Sequence, residues 1–151
     1  EVQVFGIFRL YRVKENVLDG DNTLPQSGTN RDFCYSSGYE YWGKMESDGN
    51  VLSSGKKETV LRSNKKKIEK DATYDIVVHY EVIQAKEDSA ATFRVRNAQD
   101  EIIAEQEMPK DATKITIKDV SVITGMEWVR YRINAEKGSK IRIRSIETIA
   151  Q

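Results

Sequence analysis

Beyond Thr73 the chain alternates apolar and polar residues with a period of two, the spacing that turns successive side chains to opposite faces of a β-strand. Between Thr73 and Ile83, one face holds Tyr74, Ile76, Val78, Tyr80 and Val82. The other holds Asp75, Val77, His79, Glu81 and Ile83 and is mixed. Ala91, Phe93 and Val95 then alternate with Thr92, Arg94 and Arg96. The turn Asn97-Ala98-Gln99-Asp100 and a strand through Ile102, Ile103 and Ala104 complete a hairpin, which Pro109 and Lys110-Asp111 end. Lys114 to Val120 sets Ile115 and Ile117 among charged and polar neighbours. Glu127 to Ala135 sets Val129, Tyr131 and Ile133 against Trp128, Arg130, Arg132 and Asn134. After Glu136-Lys137-Gly138-Ser139, the strand Lys140 to Ile149 turns Ile141 and Ile143 inward.

The first half is less regular. Val2 to Val13 reads as one apolar-rich strand, or as two broken at Gly6. Asp19 to Thr29, with Gly20, Pro25 and Gly28, reads as a loop. Phe33 to Met45 is rich in aromatic residues, and Asp48-Gly49-Asn50 is a turn signal before short strands near Val51 and from Lys57 to Arg62. Ser63 to Asp71 reads as a lysine-rich loop with a short strand at Ile68. No segment predicts a helix longer than one or two turns.

Roughly nine to eleven short strands predict an all-β, two-sheet antiparallel β-sandwich of the jelly-roll kind. Residues 1–151 are read as a single domain, with residues 1–16 open to a second reading as a connecting strand. The 24 basic and 24 acidic side chains cancel, which argues against broad capture of nucleic acid or an anionic membrane. No apolar run has the length of a membrane span, so no membrane insertion is expected. The single cysteine, Cys34, excludes an internal disulfide, and one histidine beside it cannot make a zinc cluster.

Catalytic constellations are sparse. His79 sits in a strand and reads as a partly exposed strand histidine; Cys34 reads as a small apolar residue. Gly38, Gly43 and Gly49 are too irregular for a phosphate loop. Asp19, Asp21 and Asn22 offer the oxygen ligands calcium takes, against a plain reading as a polar turn; no other cofactor is expected. Lys65-Lys66-Lys67 reads as a solvated run that discourages edge-to-edge strand pairing. The chain is therefore expected not to be an enzyme, a hydrolase working through surface carboxylates being the minor alternative.

Two features suggest ligand binding. Tyr35, Tyr39, Tyr41 and Trp42 cluster within a short stretch. Alternation also turns Trp128 to the polar side of its strand, in line with Arg130 and Arg132. A ring beside forked donors suits a sugar, whose C–H face packs on the ring while its hydroxyls accept hydrogen bonds. The competing reading has Trp128 covered by another segment, and Arg130 and Arg132 paired across strands with acids. The candidate ligand-binding residues are Trp128, Arg130, Arg132, Trp42, Tyr39 and Tyr41.

Tyr74 to Val82, Ala91 to Asn97, Trp128 to Ile133 and Gly138 to Ile149 resemble the later strands of galactose-binding-like, jelly-roll carbohydrate-binding modules. Asn16-Val17-Leu18-Asp19-Gly20 and Glu136-Lys137-Gly138-Ser139 resemble the bracketing motifs of similar modules in phage tail and baseplate proteins. Those modules continue into a Trp-containing tail, whereas Lys140 to Ile149 here runs on as a regular strand. The resemblance implies non-catalytic binding of a polysaccharide or oligosaccharide, such as a host cell-wall glycan, in adhesion and host recognition. It implies an extracellular or virion-surface setting. A structural or protein-interaction module, with oligomeric assembly, is the second reading.

Overall fold

A computed structural model describes residues 23–24, 28–30, 39–41, 44–45, 51–52, 58–63 and 65–151. The expectations for residues 1–22, for Cys34, Tyr35 and Trp42, and for the turn at Asp48-Gly49-Asn50 lie outside the described residues.

The described strands are β1 (Thr23–Leu24), β2 (Gly28–Asn30), β3 (Tyr39–Tyr41), β4 (Lys44–Met45), β5 (Val51–Leu52), β6 (Glu58–Ser63) and β7 (Lys66–Ile68). Six longer ones follow: β8 (Ala72–Gln84), β9 (Ser89–Asn97), β10 (Ile102–Pro109), β11 (Lys114–Val122), β12 (Trp128–Ala135) and β13 (Lys140–Ala150). A 3₁₀ turn, Thr124–Met126, precedes β12.

The larger sheet runs β1-β7-β12-β6-β3, with β9 on the other edge of β12 and β10 beyond β9. The smaller sheet runs β11-β8-β13-β2, and β4 pairs with β5. β1 and β7 are parallel; the other described pairings are antiparallel. From β8 to β13 the chain stays in one sheet only for the β9–β10 hairpin and otherwise crosses from sheet to sheet. The molecule is thus an all-β sandwich, as the alternation predicts.

The same alternation builds the core. β12 reads half-buried and buried by turns along its whole length, with Val129, Tyr131, Ile133 and Ala135 fully buried. Phe93 and Val95 of β9 and Leu61 of β6 join them from the larger sheet. Tyr74, Ile76, Val78 and Tyr80 of β8, Ile115 and Ile117 of β11, and Ile141 and Ile143 of β13 face them from the smaller one. Each such side chain contributes roughly 1.5–3 kcal/mol on leaving water, which fixes the register of every strand.

β12 is the organising strand. Its start pairs with β7, through Trp128↔Lys67 and Val129↔Lys66, and its end pairs with β6, from Arg132↔Arg62 onward. Tyr131 lies at the changeover, and its buried backbone N–H donates to Ser63 Oγ at 2.9 Å. A side chain therefore satisfies a donor where the ladder changes partner.

Two expectations are corrected. The stretch Asp19 to Thr29, read as a loop, contains β1 and the start of β2. The lysine run is not uniformly solvated: Lys65 and Lys67 are exposed, but Lys66 is buried, with its Nζ 5.4 Å from the centre of the Tyr131 ring. The cause is that β7 is a paired strand between β1 and β12, so its alternate residues Lys66 and Ile68 point into the sandwich while Lys67 points out.

Candidate functional site

The outward positions of β12 are Trp128, Arg130, Arg132 and Asn134, all half-buried. The indole of Trp128 has Lys65 Nζ 4.8 Å and Arg130 Cζ 5.4 Å from its ring centre. Both are cation–π contacts, strongest at indole among the aromatic rings. Asn134 is committed elsewhere, its Nδ2 donating to Thr59 Oγ1 at 3.1 Å.

In register, Arg130 and Arg132 stand opposite arginines of β9. Antiparallel register sets Arg130 opposite Arg96 and Arg132 opposite Arg94 of β9. On its other side Arg132 stands opposite Arg62 of β6. Opposite positions in an antiparallel pair hold their Cβ atoms about 4.5–5.5 Å apart, and like charges placed so are destabilising.

One rung of the sheet crosses five strands. Glu105 of β10 pairs with Arg94, Arg94 with Arg132, Arg132 with Arg62, and Arg62 with Glu40 of β3. Read across, it is acid, arginine, arginine, arginine, acid. Arg94 Nε donates to Glu105 Oε2 at 2.5 Å. On the neighbouring rung Arg96 Nη1 donates to the Asp100 carbonyl at 2.8 Å and lies 3.4 Å from its carboxylate. Arg62 and Arg130 each engage further groups. Arg132, at the centre, pairs with no carboxylate among the described residues, and its Nε is buried without a hydrogen-bond partner. The side chains of Arg94 and Arg96 remain 29% and 22% exposed, so the rack opens to solvent.

β3, which carries Tyr39 and Tyr41, lies one strand beyond β6 in the same sheet, with Tyr39↔Ser63 and Tyr41↔Leu61 in register. The structure thus brings Trp128, Arg130 and Arg132 together on one face and places the strand of Tyr39 and Tyr41 two strands away. Trp42 lies outside the described residues.

Sequence reading missed Arg62, Arg94, Arg96 and Lys65. The signal was present: Arg94-Val95-Arg96 repeats the spacing of Arg130-Tyr131-Arg132 on a strand of equally clear alternation. What alternation lacks is which strands are neighbours and in what register.

The opposite sheet has a different character. A shallow, open hollow on it is lined by His79, Tyr80, Glu81, Thr113, Arg144 and Ser145. His79 Nε2 lies 3.2 Å from Glu147 Oε2, and Glu81 Oε2 accepts from Arg142 at 3.2 Å and Arg144 at 2.6 Å. There, arginines converge on an acid. Among the described residues no group of three or more His, Cys, Asp or Glu is placed to hold a metal ion, and no helix is long and apolar enough to cross a membrane.

No family model matches the chain, and no curated protein matches it. Solved structures do. A low-affinity xylan-binding module, CBM86, from the gut symbiont Roseburia intestinalis superposes with a TM-score of 0.49 at 12% identity, over 84% of this chain and 97% of that one. The lectin-binding domain of lectinolysin, in complex with Lewis b, superposes with a TM-score of 0.47 at 9% identity, over 92% of this chain and 98% of that one.

Proposed function

We propose that this domain binds glycan chains without altering them chemically, on the outer face of the larger sheet around Trp128, Arg130 and Arg132. The observation that carries this reading is the placement of a half-buried indole on a solvent-facing sheet surface, directly beside forked hydrogen-bond donors. An aromatic plane takes the apolar face of a pyranose, and guanidinium groups donate to its oxygens. Lys65 and Arg130 lie over the indole, so a docking sugar packs on the ring surface they leave or displaces one of them. Trp42, Tyr39 and Tyr41 belong to the same reading as a second aromatic element. A broad open face of this kind suits a long chain held weakly at each site and made useful by repetition, as in an adhesion domain of a virion or secreted protein.

The test is titration with a broad panel of neutral and acidic glycans, read by tryptophan fluorescence. We expect a saturable change, and affinity at least about tenfold weaker in Trp128→Ala or Trp42→Ala, the cost of one lost stacking contact of roughly 1.4 kcal/mol. No response across the panel, or affinity unchanged in both variants, would overturn the reading. A stable oligomer by light scattering, with no glycan affinity, would favour the assembly role instead.

A further inference from the structure

We infer that the glycan taken by this face is acidic, with its carboxylate or sulfate groups seated on Arg132 and the arginines around it. This rests on the glycan-binding reading above and narrows it to a class of ligand.

Composition does not force the accumulation. Acidic residues equal basic ones in number, 24 to 24, so acids were available to intersperse. Elsewhere they are interspersed: Arg142 and Arg144 close on Glu81, Lys110 on Asp88, and His79 on Glu147. Among the described residues, the outer face of the larger sheet alone sets an arginine in register with arginines on both sides. Among the described residues, the acids paired or in register on that face lie at its margins: Glu105 with Arg94, Asp100 with Arg96 and Glu40 opposite Arg62, while Glu107 pairs in register with Thr92, further from Arg132. Like charges in register with Arg132 are destabilising, and an anion seated there offsets that cost.

Hydrogen-bond chemistry points the same way. Arginine carries only donors. A neutral sugar presents hydroxyls, which donate as well as accept, and a surface of donors offers those hydroxyl protons no acceptor of its own. A carboxylate or sulfate group is acceptor-only and matches the guanidinium fork bidentately. Trp128 at the end of the rack supplies the apolar surface for the sugar ring that carries the acid.

The experiment compares acidic polysaccharides with uncharged counterparts of the same backbone: polygalacturonate against its methyl ester, dextran sulfate against dextran, with alginate, hyaluronate and chondroitin sulfate added. Wild type, Arg132→Gln, Arg132→Lys and Trp128→Ala are titrated calorimetrically at low and high salt, each first checked for native circular dichroism. We expect the acidic member of at least one pair to bind about tenfold or more tightly than the neutral one, with affinity falling as salt rises. Arg132→Gln should lose about tenfold or more for the acidic form, and Arg132→Lys should recover part of it by restoring charge without the fork. The uronate and sulfate arms identify the acidic group. Equal affinity for acidic and neutral members, abolished in Trp128→Ala, would leave glycan binding standing and overturn this inference. No affinity for any polysaccharide would overturn both. Equal affinity for single-stranded oligo-dT, equally sensitive to Arg132→Gln, would mark a general polyanion surface and also overturn it.

Discussion

The phenol of Tyr131 donates a hydrogen bond to the phenol of Tyr74 at 3.2 Å, in the buried space between the two sheets. Tyr131 belongs to β12 of the larger sheet and Tyr74 to β8 of the smaller. Thr148 of β13 also hydrogen-bonds the Tyr131 hydroxyl, and Tyr131 packs on Phe93 with ring centres 5.6 Å apart. The strand whose outer face carries Trp128 and Arg132 is thus anchored through its inner face. The proposed binding face is therefore held from behind by hydrogen bonds and ring packing inside the core.

Replacing Tyr131 with Phe keeps the ring and removes the hydroxyl, leaving Tyr74 and Thr148 with an unmade bond in the core. We expect a loss of about 1–3 kcal/mol in urea unfolding. Tyr74→Phe combined with Tyr131→Phe should cost less than the two single losses added, because the bond between the two hydroxyls is lost only once. Strict additivity would show that the two hydroxyls do not interact.

Burial pushes the Tyr131 phenol up to about 12, and burial pushes Tyr80 to about 12 as well, its hydroxyl donating to the Pro109 carbonyl at 2.8 Å. A raised value in the folded chain means that the unfolded chain releases its proton first. The stabilisation is complete below about pH 10 and is lost as pH climbs towards 12. Tyr131 alone should account for about 2–3 kcal/mol of that fall. Equilibrium unfolding across that range should show a descending slope, shallower in Tyr131→Phe; a flat profile would contradict the burial.

Ser63→Ala should cost about 1–3 kcal/mol, because it strands the Tyr131 N–H where β12 passes from β7 to β6. Hydrogen exchange at the Tyr131 amide should accelerate more than that of its β12 neighbours. Uniform acceleration along β12 would mean that the hydroxyl plays no local part.

Gly138 has φ +81°, and a Cβ there would come within 2.6 Å of Lys86 Cδ. Gly138→Ala should cost about 1–2 kcal/mol through the left-handed backbone alone. The lysine stem is flexible and can swing away, so Lys86→Ala added to Gly138→Ala should recover little of the loss. Full recovery in thermal unfolding would make the clash, not the backbone, the cause.

Much of the sandwich was legible in the chain. Strands β8 to β13 lie within a residue or two of where alternation sets them, and the inward residues of β12 are the ones read as inward. The reason is physical: a two-residue period with one apolar face has a single low-energy placement once that face is buried. β1 and β2, and the buried Lys66 of β7, were not legible, because those strands are held by their neighbours' edges and not by an apolar rhythm of their own.

By itself, the sequence determined the fold class and the outward direction of Trp128, Arg130 and Arg132, because both follow from side-chain spacing along one strand. Only the tertiary structure decided what stands beside them. Strand order and register bring Arg94 and Arg62 opposite Arg132, from positions 38 and 70 residues earlier in the chain. Cross-strand neighbours are set by which edges pair, a property of the closed sheet that no local periodicity encodes.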